Sequence, residues 1–436
     1  MKLWQKTNTV LHPEVEKFTV GKDRYFDKYL VLYDLEAGRA HANMLCSCGF
    51  LTTTEREKII SLLERLKEKS SLQGFEIPEA FEDMHSWIEA ELISELGDTG
   101  KKIHTARSRN DQVLTALKLY YRAQLLEISD KAEQWCCLLL EKSVTHADVF
   151  MPGFTHCRPG MPSSAGLWLS SFAEALCDDL EMVAGAMAIC DKNPLGSGAG
   201  YGSSFPISRK ETTEYLGFST YNKNSLHAQM SRQKVESAIA FALASMGQTL
   251  SRFSSDCILF SAPEYNILQI PPDFCTGSSL MPNKKNPDVA ELIRGHSSRL
   301  QSLPQEIISL YHNLPSGYHR DFQLSKEIMI PALNRINHCL DMAFLLTGGL
   351  KFSENILERE IYNQVFAVEA ISGKVQGGMS FRDAYRETGD AIEEGKFLFK
   401  GSPVKATHEG STGNLCLPEL KEDLKRVMDK ISRKNQ

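Results

Sequence analysis

Proline is missing from three long stretches of this chain, residues 79–151, 207–262 and 332–402, and all 17 prolines lie outside them. A proline inside a helix removes a backbone donor and clashes with the preceding turn, and in a central strand it breaks the ladder, so such gaps mark where long regular elements can run. Within the first gap Leu114, Leu117, Tyr121, Leu125, Ile128, Ala132, Trp135 and Leu139 follow one another at steps of three or four. That spacing predicts one long helix with a single apolar stripe. Val235, Ile239, Ala242, Met246, Leu250, Phe253 and Cys257 repeat the pattern in the second gap. Each series spans about 35 to 40 Å at 1.5 Å per residue. Long single-striped helices lying side by side build a bundle, and alternating strand patterns are rare, so the expected fold is all-α with a long central helical bundle.

At 436 residues the chain is too long for one core, so two or three domains are expected. Soft boundaries divide it into an N-terminal helical region (1–107), the long-helix bundle (108–350) and a C-terminal helical region (351–436). Between helical segments lie MPGFTHCRPGMPSS (151–164), NPLGSGAGYGSSFP (193–206), PPDFCTGSSLMPNKKNP (271–287) and NLPSGYHRD (313–321), each rich in glycine and proline.

The net charge is -6, with 49 Lys+Arg interspersed among 55 Asp+Glu, which leaves no basic stripe for nucleic acid or an anionic membrane. No apolar run approaches the roughly 18 residues that span a bilayer, and MKLWQKTNTVLHPEVEK lacks the apolar core of a signal peptide, so a cytoplasmic protein is expected. The 11 cysteines form no framework. The close pairs Cys46/Cys48 and Cys136/Cys137 lack a matching second pair, so reduced thiols and no metal site are expected.

Four polar segments can carry chemistry. Gly277 to Pro287 holds two hydroxyls and two cations in front of a helix, with Asn286 expected as N-cap and Pro287 in the first turn; the helix dipole there favours anions. Lys102 to Gln112 concentrates two guanidiniums before the long helix, a fork suited to carboxylates, although a solvated cap reads the same way. Thr155-His156 offers a proton shuttle or a structural histidine, and Tyr318 to Lys326 a cationic segment or a charged helix start. The run Gly196 to Gly202 does not match the dinucleotide fingerprint and follows Asn193-Pro194 rather than a strand. Walker, H-E-x-x-H and nucleophile-elbow motifs are missing.

The loop GSSLMPNKKNPD resembles the signature of the fumarase/aspartase superfamily, and HTARSRNDQ, GFTH and YHRDFQLSKE narrow the resemblance to the argininosuccinate lyase family. Matches recur from Tyr33-Asp34 to Phe381-Arg382-Asp383, in the family's order. The resemblance implies a three-domain fumarase/aspartase-like fold and cleavage of argininosuccinate to arginine and fumarate, in arginine biosynthesis and without a cofactor. It also implies a homotetramer with shared sites. It makes Ser278 and His156 the proton-transfer residues, with Glu291 orienting the histidine. Substrate contacts implied are Ser108, Arg109, Asn110, Thr155, Lys284, Asn286, Tyr318, Gln323 and Lys326. Departures are Gly38 where a substrate-contacting serine is common, Ala106 for a glycine, and Arg158 and Met161 for glutamines.

Such an elimination removes a weakly acidic proton beside a carboxylate, so fixed positive charge aimed at the resulting dianion is the largest catalytic requirement, which Lys284 and the loop amides supply. Ser278 as base and His156 as acid, or the reverse, use the same atoms. The competing readings are another fumarate-releasing lyase of the superfamily, and a catalytically silent, crystallin-like structural protein.

Overall fold

Two of the helices owe their length to strong caps and unbroken stripes. The computed structural model describes residues 12–432. Six helices come first: α1 (Pro13–Val20), α2 (Asp23–Asp27), α3 (Val31–Ser47), α4 (Thr53–Ser70), α5 (Met84–Leu96) and α6 (Asp98–Lys101). The long α7 (Arg109–Thr145) leads to a hairpin of β1 (Phe150–Thr155) and β2 (Arg158–Ser164), then α8 (Ala165–Cys190), α9 (Arg209–Tyr215) and the second long helix α10 (Ser225–Ser261). The chain continues through α11 (Asp288–Gln301), α12 (Leu303–Leu310), α13 (Ser325–Gly349), α14 (Ala367–Gln376), α15 (Phe381–Glu393) and α16 (Leu417–Ser432).

Ser108 opens α7 with a reciprocal capping box to Asp111, and Asn224 caps α10 through the His227 amide. Both helices have 37 residues, about 55 Å each. Every residue of the two stripes expected from sequence is buried. α8 packs against both α7 and α10, α11 and α13 close the bundle, and α16 lies on α7 and α8. At its centre Trp135 meets Phe253 edge-on at 5.3 Å, Trp168 stacks on Phe253 at 5.6 Å, and Trp135 Nε1 donates to Thr347 Oγ1 at 2.8 Å. Among the described residues no helix is long and apolar enough to cross a membrane.

Two sequence expectations need correction. Residues 151–164 were expected as connecting punctuation, yet they lie in an antiparallel hairpin pairing Met151 with Ser163 and Thr155 with Arg158. A two-stranded ribbon has two edges, so Pro152, Pro159 and Pro162 can sit where no ladder donor is needed. Pro331 lies inside α13, which begins at Ser325, so the proline gap from residue 332 marks this helix's start too late. As the seventh residue of α13, Pro331 forgoes the hydrogen bond to the Glu327 carbonyl and crowds it, a local cost that the packing of the buried residues around it offsets.

Asp179 on α8 accepts hydrogen bonds from Ser245 and Thr249 of α10, at 2.6 Å each. Burial pushes its carboxyl from 3.8 up to about 6 against those bonds. The folded state then binds a proton more tightly than the unfolded chain, so stability falls as pH rises from about 4 to about 6 and is flat above. Asp179→Asn should remove up to about 3 kcal/mol of this pH dependence in denaturant melts. An unchanged slope would contradict the assignment.

Candidate active site

The start of α7 and the segment leading into α13 face α2 and the N-terminus of α5 around a cavity of about 350 Å³. Five expected contacts line it: Arg109, Asn110, Tyr318, Gln323 and Lys326. Asp23 and Asp27, four residues apart on one face of α2, both pair with Lys326. Burial alone would discharge this lysine, but Asp27 and Asp23 outweigh it and hold the ammonium charged. Arg109 is paired with Glu82, with Asp83 at 3.1 Å, and donates to Ser86 Oγ at 2.9 Å. Arg232 donates to Glu236 at 3.2 Å and Ser325 at 2.8 Å. Gln323 Nε2 donates to the Thr19 and Val20 carbonyls, at 3.0 and 3.2 Å, which ties α1 to the cavity. With Lys326, Arg109 and Arg232 each carried by a carboxylate, the cavity suits a zwitterion better than a simple anion.

Lys326→Ala should lower turnover by about 10² to 10³-fold if the lysine acts like one oxyanion donor. It should also destabilise the fold by about 3 to 5 kcal/mol, because Asp23 and Asp27 lose their buried cation. Kinetics and melting measured together separate the two effects; near-normal turnover would place Lys326 off the substrate path.

Ser108 is committed to its cap: its Oγ accepts from the Asn110 amide at 3.3 Å. Asp111 Oδ2 accepts from the amides of Gly196 and Gly198, at 3.0 and 2.8 Å, so the glycine run cradles a protein carboxylate. A Cβ on Gly198 would come within 2.8 Å of the Gly202 carbonyl, and its φ of 61° excludes most other residues. Just upstream Ala106 has φ 59°, a left-handed conformation that strains any residue with a Cβ. Ala106→Gly should therefore raise stability by up to about 1 kcal/mol in denaturant melts, and a loss would contradict the strain. A side chain at Gly38 would meet Leu63 and Arg107, and Gly38 does not line the cavity, in keeping with its departure from the family's serine.

Thr155 and His156 sit at the exposed tip of the β1–β2 hairpin. His156 and Cys157 form its two-residue turn with φ of 52° and 57°, a geometry that normally recruits asparagine and glycine. Phe154 stacks on Phe260 at 5.6 Å and anchors the hairpin to the end of α10.

The serine loop is pinched at its base. Thr276 and Gly277 pair antiparallel with Asn286 and Lys285, and the Asp288 carboxylate accepts from the Thr276 amide and hydroxyl at 3.0 and 2.6 Å. Asn286 is thus not the N-cap: it lies in this short ladder, Pro287 occupies the cap position, and no side chain caps α11. Within the loop Ser278 Oγ accepts from the amides of Leu280 and Met281, at 3.3 and 3.1 Å. Lys284 is exposed, as is Glu291 in the first turn of α11.

These groups lie at opposite ends of the bundle. Arg232 at the cavity and Phe260 under the hairpin are separated by 28 residues of α10, about 42 Å. The segment feeding the serine loop lies beside Gly349 at the C-terminal end of α13, whereas Lys326 is at its N-terminal end.

Comparison with known proteins decides the family. The profile of the Lyase family matches residues 15–302. Argininosuccinate lyase of Phocaeicola vulgatus is 45% identical over 428 residues, covering 98% of this chain and 96% of that protein. The chain belongs to the argininosuccinate lyase family. The argininosuccinate lyase of Thermotoga neapolitana is 40% identical over 390 residues, covering 88% of this chain and 96% of that protein. Among solved structures, EDDS lyase in complex with formate superposes with TM-score 0.77 at 22% identity, covering 98% of this chain and 91% of that one. A class II fumarase from Schistosoma mansoni gives 0.72 at 13%, covering 88% and 91%. These two share the fold of this chain.

Sequence reading missed Asp23, Asp27, Glu82, Asp83, His85 and Arg232 in the cavity wall, to which Arg320 of the segment 318–326 also contributes. The four-residue spacing of Asp23 and Asp27 is a signal that can find a helical face of paired carboxylates. Nothing in the local pattern marks Arg232, which looks like any polar residue on a long helix.

Proposed function

We propose that this chain cleaves argininosuccinate to L-arginine and fumarate, in the cytoplasm and as a step of arginine biosynthesis. Full-length identity to argininosuccinate lyases carries this reading. The cavity's balanced charges suit the zwitterionic amino-acid end of the arginine moiety, and the serine loop suits the succinyl end. Ser278 removes the carbon-bound proton. The two amides on its Oγ stabilise the alkoxide that this requires, and Lys284 faces the dianion that forms. As the C–N bond breaks and the C=C bond forms, His156, oriented by Glu291, returns a proton to the departing guanidino nitrogen. Thr155 and Asn286 complete the contacts to the succinyl end, and the chemistry uses no metal or cofactor.

One substrate cannot bridge the ends of a single bundle. The working site is accordingly built where one subunit's cavity end meets the far ends of others, and a homotetramer of antiparallel bundles provides this with closed symmetry. The polypeptide divides near residues 107 and 350, so that the central bundle carries the assembly. Release of fumarate on adding argininosuccinate tests the reaction. Release from adenylosuccinate, aspartate or malate instead would assign a different lyase, and no release from any of them would leave a structural protein.

A further inference from the structure

His85 occupies the first turn of α5, two residues after the N-cap Asp83, and lines the cavity. Its Nδ1 lies 2.9 Å from Asp34 Oδ2, with both side chains buried. Asp34 is fixed in turn by Gln112 of α7, whose Nε2 donates to Oδ1 at 3.4 Å. The other ring nitrogen, Nε2, is buried with no hydrogen-bond partner among the described residues. Burial and the helix N-terminus both disfavour a charged ring. The carboxylates of Asp34, Asp83 and Asp27 outweigh burial, and the ring's affinity for a proton is raised. Around it stand Asp27 from α2, Asp34 from α3, Asp83 before α5, Arg109 from α7 and Lys326 from α13. Lys326 and Arg109 are already paired with carboxylates, as is the Nδ1 side of His85.

Once the ring is protonated on both nitrogens, the buried Nε2–H lacks an acceptor, which is unfavourable by several times the worth of an ordinary hydrogen bond, so an acceptor arriving with the ligand is strongly favoured. We propose that the Asp34–His85 pair is a substrate-binding device in which His85 Nε2–H donates to a carboxylate of the ligand in this cavity. This rests on the reading above that the cavity receives the amino-acid end of the substrate. His85 then discriminates for ligands with a free carboxylate there, and it contributes to binding in ground and transition states alike rather than to proton transfer.

The test compares His85→Ala with His85→Gln, whose amide nitrogen can occupy the Nε2 position as a neutral donor. Charged hydrogen bonds of this kind predict a KM for argininosuccinate, and an inhibition constant for L-arginine, raised about 10 to 10²-fold in His85→Ala. In His85→Gln the rise should be smaller, and kcat should stay within about threefold in both. Unchanged KM and inhibition constants in folded variants, or a fall in kcat alone, would overturn the proposal. If neither variant folds, the ring Nε2–H resonance of His85 in histidine-labelled wild-type protein should move on adding L-arginine, and a stationary resonance would overturn it equally. Wild-type fumarate release is the control: its absence sinks the assigned reaction, whereas normal wild-type turnover with unaffected variants sinks only the role of His85.

Discussion

Replacing Ser278 with alanine is expected to lower turnover by at least about 10² and up to 10⁴-fold, the range for loss of a positioned general base. The fold should survive, because the bonds Ser278 makes are local, from the Leu280 and Met281 amides to its Oγ. Those amides matter to the chemistry: a neutral hydroxyl is a poor base, and donors already aimed at Oγ lower the energy of its alkoxide without reorganisation. With the base gone, exchange of the succinyl carbon proton with solvent should vanish along with turnover. Exchange that persists in Ser278→Ala would pass the role of base to His156, and full activity would remove Ser278 from the site.

His156→Asn is expected to lower turnover by a similar factor, about 10² to 10⁴-fold, with a different signature. Asparagine is the apt substitute, since His156 sits at φ 52° and asparagine tolerates the left-handed region better than most residues. The hairpin turn should keep its shape while the acid is lost. Carbon-proton exchange should then continue, because Ser278 can still remove the proton and return one to the carbanion while the guanidino nitrogen, lacking its proton donor, stays bound. Loss of exchange and turnover together in a folded His156→Asn protein would contradict this division of labour.

What could be read from the sequence follows the reach of local physics. Proline gaps and apolar stripes located α7 and α10, because helix periodicity and burial act on neighbouring turns of one segment. The hairpin at 150–164 escaped notice because its prolines hide the alternation that marks a strand, and tertiary packing, Phe154 on Phe260 and Tyr265 among it, fixes it in place. Asn286 is a good cap by type, but the ladder to Thr276, ten residues earlier in the chain, claims it first. At the cavity, Arg109, Asn110, Tyr318, Gln323 and Lys326 were accessible through motif resemblance. Their partners Asp23, Asp27, Glu82 and Asp83 come from elements that meet them only in the folded chain.

The most direct test of a site shared between subunits is to unfold Ser278→Ala and His156→Asn proteins, mix them in equal amounts, refold them together and measure fumarate release. If each site draws Ser278 and His156 from different subunits, random assembly restores both in about a quarter of the sites, and the mixture should recover about that fraction of wild-type turnover. A refolded mixture no more active than either variant alone would contradict the shared site.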